Sequence, residues 1–265
     1  FQVELIRASL AMRTATGAFA SVTESALATE EAPWSTATIE DELRRIADLI
    51  EARCFRSHDG SAGWFGLRFA QASERFQLLP LGEALYDRVA GIAVFLAAAG
   101  RRLSEPRYVG LAQAAVSGLR RQLEHPVRAR DLARRMGLGA GFGLPSLAYA
   151  LAVVSDLTED DELRFLGGEL MGLIPRAAVA ADTRLDALGG CAGILIVGGS
   201  RPELLRRSEA SAAMETACAR LLATREAGGG WRALGGGSLT GMSHGAAGIV
   251  LALARAREAG FGGRE

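Results

Sequence analysis

Gly241-Met242-Ser243-His244-Gly245-Ala246-Ala247-Gly248-Ile249 runs directly into the apolar stretch Val250-Leu251-Ala252-Leu253-Ala254. A histidine between glycines, just before a segment that reads as a buried helix, places an imidazole at a helix start with backbone crowded around it. Three earlier stretches share the pattern: Arg88-Val89-Ala90-Gly91-Ile92, Gly143-Leu144-Pro145-Ser146-Leu147 and Gly190-Cys191-Ala192-Gly193-Ile194. Their anchors Gly91, Ser146 and Gly193, with Gly248, are 55, 47 and 55 residues apart. Self-similarity at such a period is the mark of a repeat architecture. Each anchor opens a helix rich in Ala, Val, Leu and Ile, and each interval holds a more charged helical stretch, at about residues 105–124, 159–173 and 202–226.

The unit is therefore a helical hairpin with one buried and one half-exposed helix, and the fold class is all-α. One such hairpin cannot bury its apolar face alone, so the units stack as a solenoid or close into a ring. Small residues at the inner-helix starts let several helix ends crowd around a common axis. Because all inner helices run in one direction in such an array, residues just before the anchors converge on one end of that axis. That end is where a site is expected.

Two residues there are the first candidates for chemistry. His244 stands at a helix N-terminus, where the macrodipole disfavours positive charge and keeps an imidazole neutral and able to accept a proton; a packing or capping histidine is the alternative. Asp186, in Arg184-Leu185-Asp186-Ala187-Leu188-Gly189-Gly190, precedes the third inner helix and faces the same end, although an aspartate at a helix start also reads as an N-cap. Asp87 occupies the repeat position equivalent to His244 and reads as a cap. Cys191, Cys218 and Cys54 read as packing residues, His58 and His125 as solvated turn residues, and Trp231 as a packed loop aromatic. The glycine-rich stretches 228–230 and 235–237 lack the Lys and Ser/Thr of a phosphate loop, so no nucleotide site is expected.

Composition narrows the partners. Of 265 residues 49% are hydrophobic, enough for a sizeable core, and 30 basic residues balance 30 acidic ones, which argues against nucleic acid or an anionic membrane surface. All the basic residues are arginine, which excludes lysine Schiff-base chemistry in this stretch. Three separated cysteines without CxxC spacing encode neither a disulfide framework nor a self-contained zinc site, and no metal ligand is assigned within the chain. The longest apolar runs fall short of the roughly 20 residues of a membrane span. No basic leader precedes Phe1-Gln2-Val3-Glu4, so a cytoplasmic location is expected, and the absence of an initiator Met suggests an interior segment of a longer protein.

Along the remainder, Val3 to Arg13 reads as a helix and the Ala/Thr/Ser/Glu-rich segment to Ser35 as a linker. Ile39, Leu43, Ile46, Leu49 and Ile50 mark an amphipathic helix from Thr38. Short apolar pieces broken by Gly and Pro between Arg56 and Leu81 suggest extended structure.

Four motifs in order, Leu85-Tyr86-Asp87 with Ala90-Gly91-Ile92-Ala93, Gly141 to Leu151, Leu185 to Gly193, and Gly241 to Gly245, resemble the lanthionine synthetase C-like (LanC-like) cyclase family. Leu5-Ile6-Arg7-Ala8-Ser9-Leu10-Ala11, Trp64-Phe65-Gly66-Leu67 and Leu78-Leu79-Pro80-Leu81-Gly82 are similar to the dehydratase-to-cyclase junction of class II bifunctional lanthipeptide synthetases. The resemblance implies two parts, residues 1–80 as that junction and residues 81–265 as a partial cyclase domain. It implies an α/α toroid, here incomplete with four of seven inner-helix starts. It also implies an enzyme that adds a peptide cysteine thiol to dehydroalanine or dehydrobutyrine, forming a thioether ring in a ribosomally made precursor peptide with a leader.

His244 matches the family's active-site histidine and Asp186 its active-site aspartate, and the resemblance assigns both to proton handling, with their division of labour open. A zinc cofactor is implied for the full-length protein, with two Cys and one His ligands on later repeats beyond Glu265; Cys54, Cys191 and Cys218 match none of them. The segment alone is therefore expected to be inactive, and an export transporter is a further implied partner. The alternatives are a non-catalytic helical-repeat module binding a peptide or thiol, and a toroid glycosidase with paired carboxylates, for which acidic pairs at the helix starts are scarce.

Overall fold

The computed structural model describes residues 35–70, 74–232 and 237–263. The helix expected at Val3 to Arg13, and the linker up to residue 34, lie outside the described residues. Among the described residues ten α-helices dominate and four short strands precede the repeats.

Helix α1 (Thr36–Ala52) starts where the Ser35 hydroxyl accepts the Thr38 N–H at 3.1 Å, a cap for a helix whose inward face centres on Ala47. The broken apolar pieces after it form two antiparallel hairpins, β1 (Phe55–Arg56) with β2 (Ala62–Gly63), and β3 (Phe65–Ala70) with β4 (Arg75–Pro80). In the second hairpin Phe69 lies opposite Phe76 and Leu67 opposite Leu78. Trp64, between the two, donates its indole N–H to Ile50 O at 2.8 Å and ties them to α1.

The repeats follow. Helices α2 (Val89–Leu103) and α3 (Pro106–Leu123) form the first hairpin, and α4 (Pro126–Arg135) leads away from it. Helices α5 (Leu144–Thr158) and α6 (Asp161–Gly172) form the second, with the short α7 (Arg176–Ala180) behind it. Helix α8 (Ala192–Ser200), a 3-10 turn at Pro202–Leu204 and α9 (Ser208–Ala223) form the third, and α10 (Ala246–Glu258) opens the next. Each inner helix packs on its successor, α2 on α5, α5 on α8 and α8 on α10, while α3, α6 and α9 back their partners from outside.

Local chemistry explains this order. Leu111, Ala112, Ala115, Val116 and Leu119 recur at helical spacing on the buried side of α3, with Arg120 and Arg121 in its last turn. Helix α5 is apolar nearly all round and buries Leu144, Leu147, Ala148, Leu151, Ala152 and Val154 against neighbours on several sides. Each such Leu contributes about 2 kcal/mol through burial. Ser104 and Glu159, each 13 residues after its anchor, adopt left-handed conformations (φ 55° and 57°) that stop α2 and α5 at equivalent places. Pro106 and Pro126 then open α3 and α4, where a missing N–H leaves no helical bond unmade.

Candidate active site at the converging helix starts

The loops before the four inner helices are joined by one line of backbone hydrogen bonds. Tyr86 N–H donates to Gly141 O at 3.0 Å, Gly141 N–H to Leu188 O at 3.0 Å, and Leu188 N–H to Ser243 O at 3.1 Å. These four residues each lie five positions before an anchor, so the repeat period in the sequence is the register of this line. The inner-helix starts therefore meet at one end of the array, as the repeat reading expected.

The anchors are small because the chain doubles back over them. A Cβ on Gly91 would meet Leu85 O at 2.4 Å, and one on Gly248 would meet Met242 O at 2.0 Å. Ser146, at the remaining non-glycine anchor, is fully buried, and its hydroxyl donates to Gly143 O at 2.6 Å.

This convergence brings His244 and Asp186 together across 58 residues of sequence, with His244 Nδ1 2.9 Å from Asp186 Oδ2. The other carboxylate oxygen, Oδ1, accepts the N–H groups of Gly189 at 2.6 Å and Gly190 at 3.2 Å. The Asp186 side chain is 1% exposed and that of His244 is 42% exposed. A carboxylate oxygen only accepts, so this contact favours a proton on Nδ1, and in the neutral ring Nε2 then carries the lone pair. Asp186 does accept backbone N–H groups as a cap would, but those of the turn ahead of α8.

An open cleft of about 400 Å³ lies at the same end, lined by Leu85, Tyr86, Asp87, Ala140, Gly141, Ala187, Leu188, Met242 and Ser243. Met242 and Ser243, the two residues that precede His244 in the chain, are part of its lining. Its rim is apolar: Tyr86 and Met242 are more than half exposed, and the Tyr86 ring meets Phe142 edge-on at 5.3 Å. Asp87 lies on the cleft in a left-handed conformation (φ 55°) and pairs with Arg88 at 3.1 Å, so it is joined to neither His244 nor Asp186.

The remaining sequence candidates stay apart from this pair. Cys191 is fully buried; its surroundings and the Asp182 carboxylate push its thiol far up from the ordinary range. Cys218 is buried on α9, and burial raises its thiol to about 11. Both are packing residues, as expected. Trp231 is buried and donates to Leu221 O at 2.7 Å, while His58 and His125 are exposed. Sequence reasoning passed over Asp182, whose side chain accepts the N–H groups of Arg184, Leu185 and Cys191. Its signal was an aspartate two and three residues ahead of amides it then bonds, the spacing of a local aspartate turn.

Among the described residues no group of three His, Cys, Asp or Glu side chains is placed to hold a metal ion. The residues present do not fit zinc: the Cys191 and Cys218 thiols are packed away from the cleft, and His244 engages Asp186 through Nδ1. Among the same residues no helix is long and apolar enough to cross a membrane.

A helical-hairpin array with a buried carboxylate holding an exposed imidazole at its converging helix starts defines a candidate catalytic protein of the α-repeat class. The family model of the lanthionine synthetase C-like proteins matches residues 80–259, which include all four anchors, and the chain belongs to that family. Members of this family are in general cyclases acting on peptides. No curated protein matches the chain.

Proposed function

We propose that this chain is the cyclase part of a class II lanthipeptide synthetase, which adds a cysteine thiol of a ribosomally made, leader-bearing precursor to dehydroalanine or dehydrobutyrine. Residues 1–80 then serve as the junction to a dehydratase and residues 81–265 as part of a toroidal cyclase. The observation that carries the reading is the His244–Asp186 pair beside an apolar cleft. His244 Nε2 removes the thiol proton, and sulfur attacks Cβ of the dehydro residue. The π electrons move to Cα as an enolate, and His244 returns the proton there. No atom is lost, so one histidine suffices for both transfers.

Burial divides the labour between the two residues. Asp186 is sealed from the cleft, so it acts through the imidazole by fixing its tautomer and stabilising it when protonated, whereas His244 meets substrate. Zinc is the cofactor that this reading expects for the full-length protein, and no step above runs through it. The cytoplasm and an export transporter complete the expected setting. The test is cyclisation of a dehydrated precursor by the full-length protein, followed by mass spectrometry with a thiol-blocking reagent. His244→Ala should leave free thiols where the parent leaves none, and cyclisation at the parental rate would refute the reading.

A further inference from the structure

The loop that carries Asp186 is bent in a way that Asp186 alone does not explain. Leu185, immediately before it, adopts a left-handed conformation (φ 61°), which is costly for a bulky residue, and it is buried. The chain then turns back so tightly that a Cβ on Gly190 would meet the nitrogens of Leu185 and Asp186, each at 2.5 Å. Three backbone bonds hold the curl from inside: Asp186 N–H to Arg184 O at 2.7 Å, Gly190 N–H to Asp186 O at 3.0 Å and Ala192 N–H to Leu185 O at 3.2 Å.

Asp182 clasps this curl from outside. Its Oδ2 accepts Leu185 N–H at 3.1 Å and Cys191 N–H at 2.7 Å, and its Oδ1 accepts Arg184 N–H at 3.1 Å. One carboxylate therefore joins the residue before Asp186 to the residue that caps α8. Asp182 is itself anchored, because Arg220 on α9 donates its Nε–H to Asp182 O at 2.9 Å. The chain of contacts runs from the outer helix α9 through Asp182 to the curl, and from Asp186 to His244.

We propose that Asp182 is a positioning residue for the Asp186–His244 pair: by clasping both ends of the 185–191 curl it fixes where the Asp186 carboxylate meets the His244 ring. The inference rests on the proposed cyclase reading. Its physical basis is that a reacting group displaced by about 1 Å loses about a hundredfold in rate, and that Leu185 relaxes from its left-handed conformation once its N–H loses its acceptor.

The experiment compares Asp182→Ala, Asp182→Asn, Asp186→Asn and the parent in the full-length protein, with two readouts. Precursor cyclisation should fall about tenfold to a hundredfold in kcat for Asp182→Ala with KM nearly unchanged, since Asp182 does not line the cleft. Asp182→Asn keeps one acceptor oxygen for Leu185 and Cys191 and should recover much of the loss. The second readout needs no substrate. With 15N-labelled histidine, the His244 ring nitrogens should report a single Nδ1–H tautomer in the parent and a mixture of tautomers in Asp182→Ala.

The outcomes separate the two ideas. If Asp186→Asn slows cyclisation while Asp182→Ala retains the parental kcat and the single tautomer, the inference is overturned and the cyclase reading stands. If Asp186→Asn cyclises at the parental rate, the cyclase reading fails first. Should Asp182→Ala not fold, Asp182→Ser takes its place, since its short hydroxyl can accept one nearby amide but cannot clasp both Leu185 and Cys191: parental kcat with a single tautomer would overturn the inference, and reduced kcat with a mixture of tautomers would support it.

Discussion

Asp186 Oδ2 lies 2.9 Å from His244 Nδ1, yet the aspartate side chain is 1% exposed and the histidine 42%. This asymmetry assigns the two residues to different work in the proposed reaction. A group without access to the cleft cannot take a proton from a peptide thiol, so its effect must pass through the ring it holds.

The backbone line joining Tyr86, Gly141, Leu188 and Ser243 leaves the anchors no room for a side chain. Gly248→Ala places a methyl group 2.0 Å from Met242 O, against backbone that also carries His244. Denaturant unfolding should show a loss of about 1–3 kcal/mol, the usual cost of overpacking. Gly228→Ala, with nothing within 4 Å of the new Cβ, should differ from the parent by less than about 0.5 kcal/mol.

The Tyr108 phenol is fully buried and donates to Asp48 Oδ1 at 2.6 Å, joining α3 to α1. Burial and the neighbouring Asp48 carboxylate push it up to about 12 from an ordinary 10.0. The folded chain therefore keeps its phenolic proton where the unfolded chain has released it. That stability is fully present below pH 10 and is lost as the pH rises toward 12. Thermal melts should show this fall in the parent and a flatter alkaline limb in Tyr108→Phe, which should also lose about 1–2 kcal/mol at neutral pH with its hydrogen bond.

Tyr86 stands on the cleft rim, 57% exposed and edge-on to Phe142. An apolar residue flanking the reacting cysteine would bury against it. Tyr86→Ser should raise KM for a dehydrated precursor about three- to tenfold, equivalent to about 1 kcal/mol of lost contact, and leave kcat within about twofold. A loss confined to kcat would remove Tyr86 from substrate binding.

Much of this arrangement was legible in the sequence because the constraint is local. A Gly at residues 91, 193 and 248 records a carbonyl or amide pressed against the helix start, and that pressure recurs with each hairpin, so the period survives in the chain. Once the period is fixed, Asp186 and His244 must face the same end. The register of the strands between residues 55 and 80 was not legible, since β1 and β2 have two residues each and β4 is exposed at every position but Leu78, so neither hairpin carries an alternation to read. Helix α4 was missed because its charged sequence buries only Ala129, Leu132 and Ala133. Asp182 was missed because its partners are backbone amides, which look the same at every residue.

The most direct test of the central claim is a double-mutant cycle on cyclisation rate with His244→Ala, Asp186→Asn and the two combined, in the full-length protein. His244→Ala alone should cost about a hundredfold to ten-thousandfold, the range for a general acid-base group. If Asp186 acts through the imidazole, the double variant should be no slower than His244→Ala, a strongly non-additive result. Losses that multiply, or a His244→Ala variant as fast as the parent, would contradict the account.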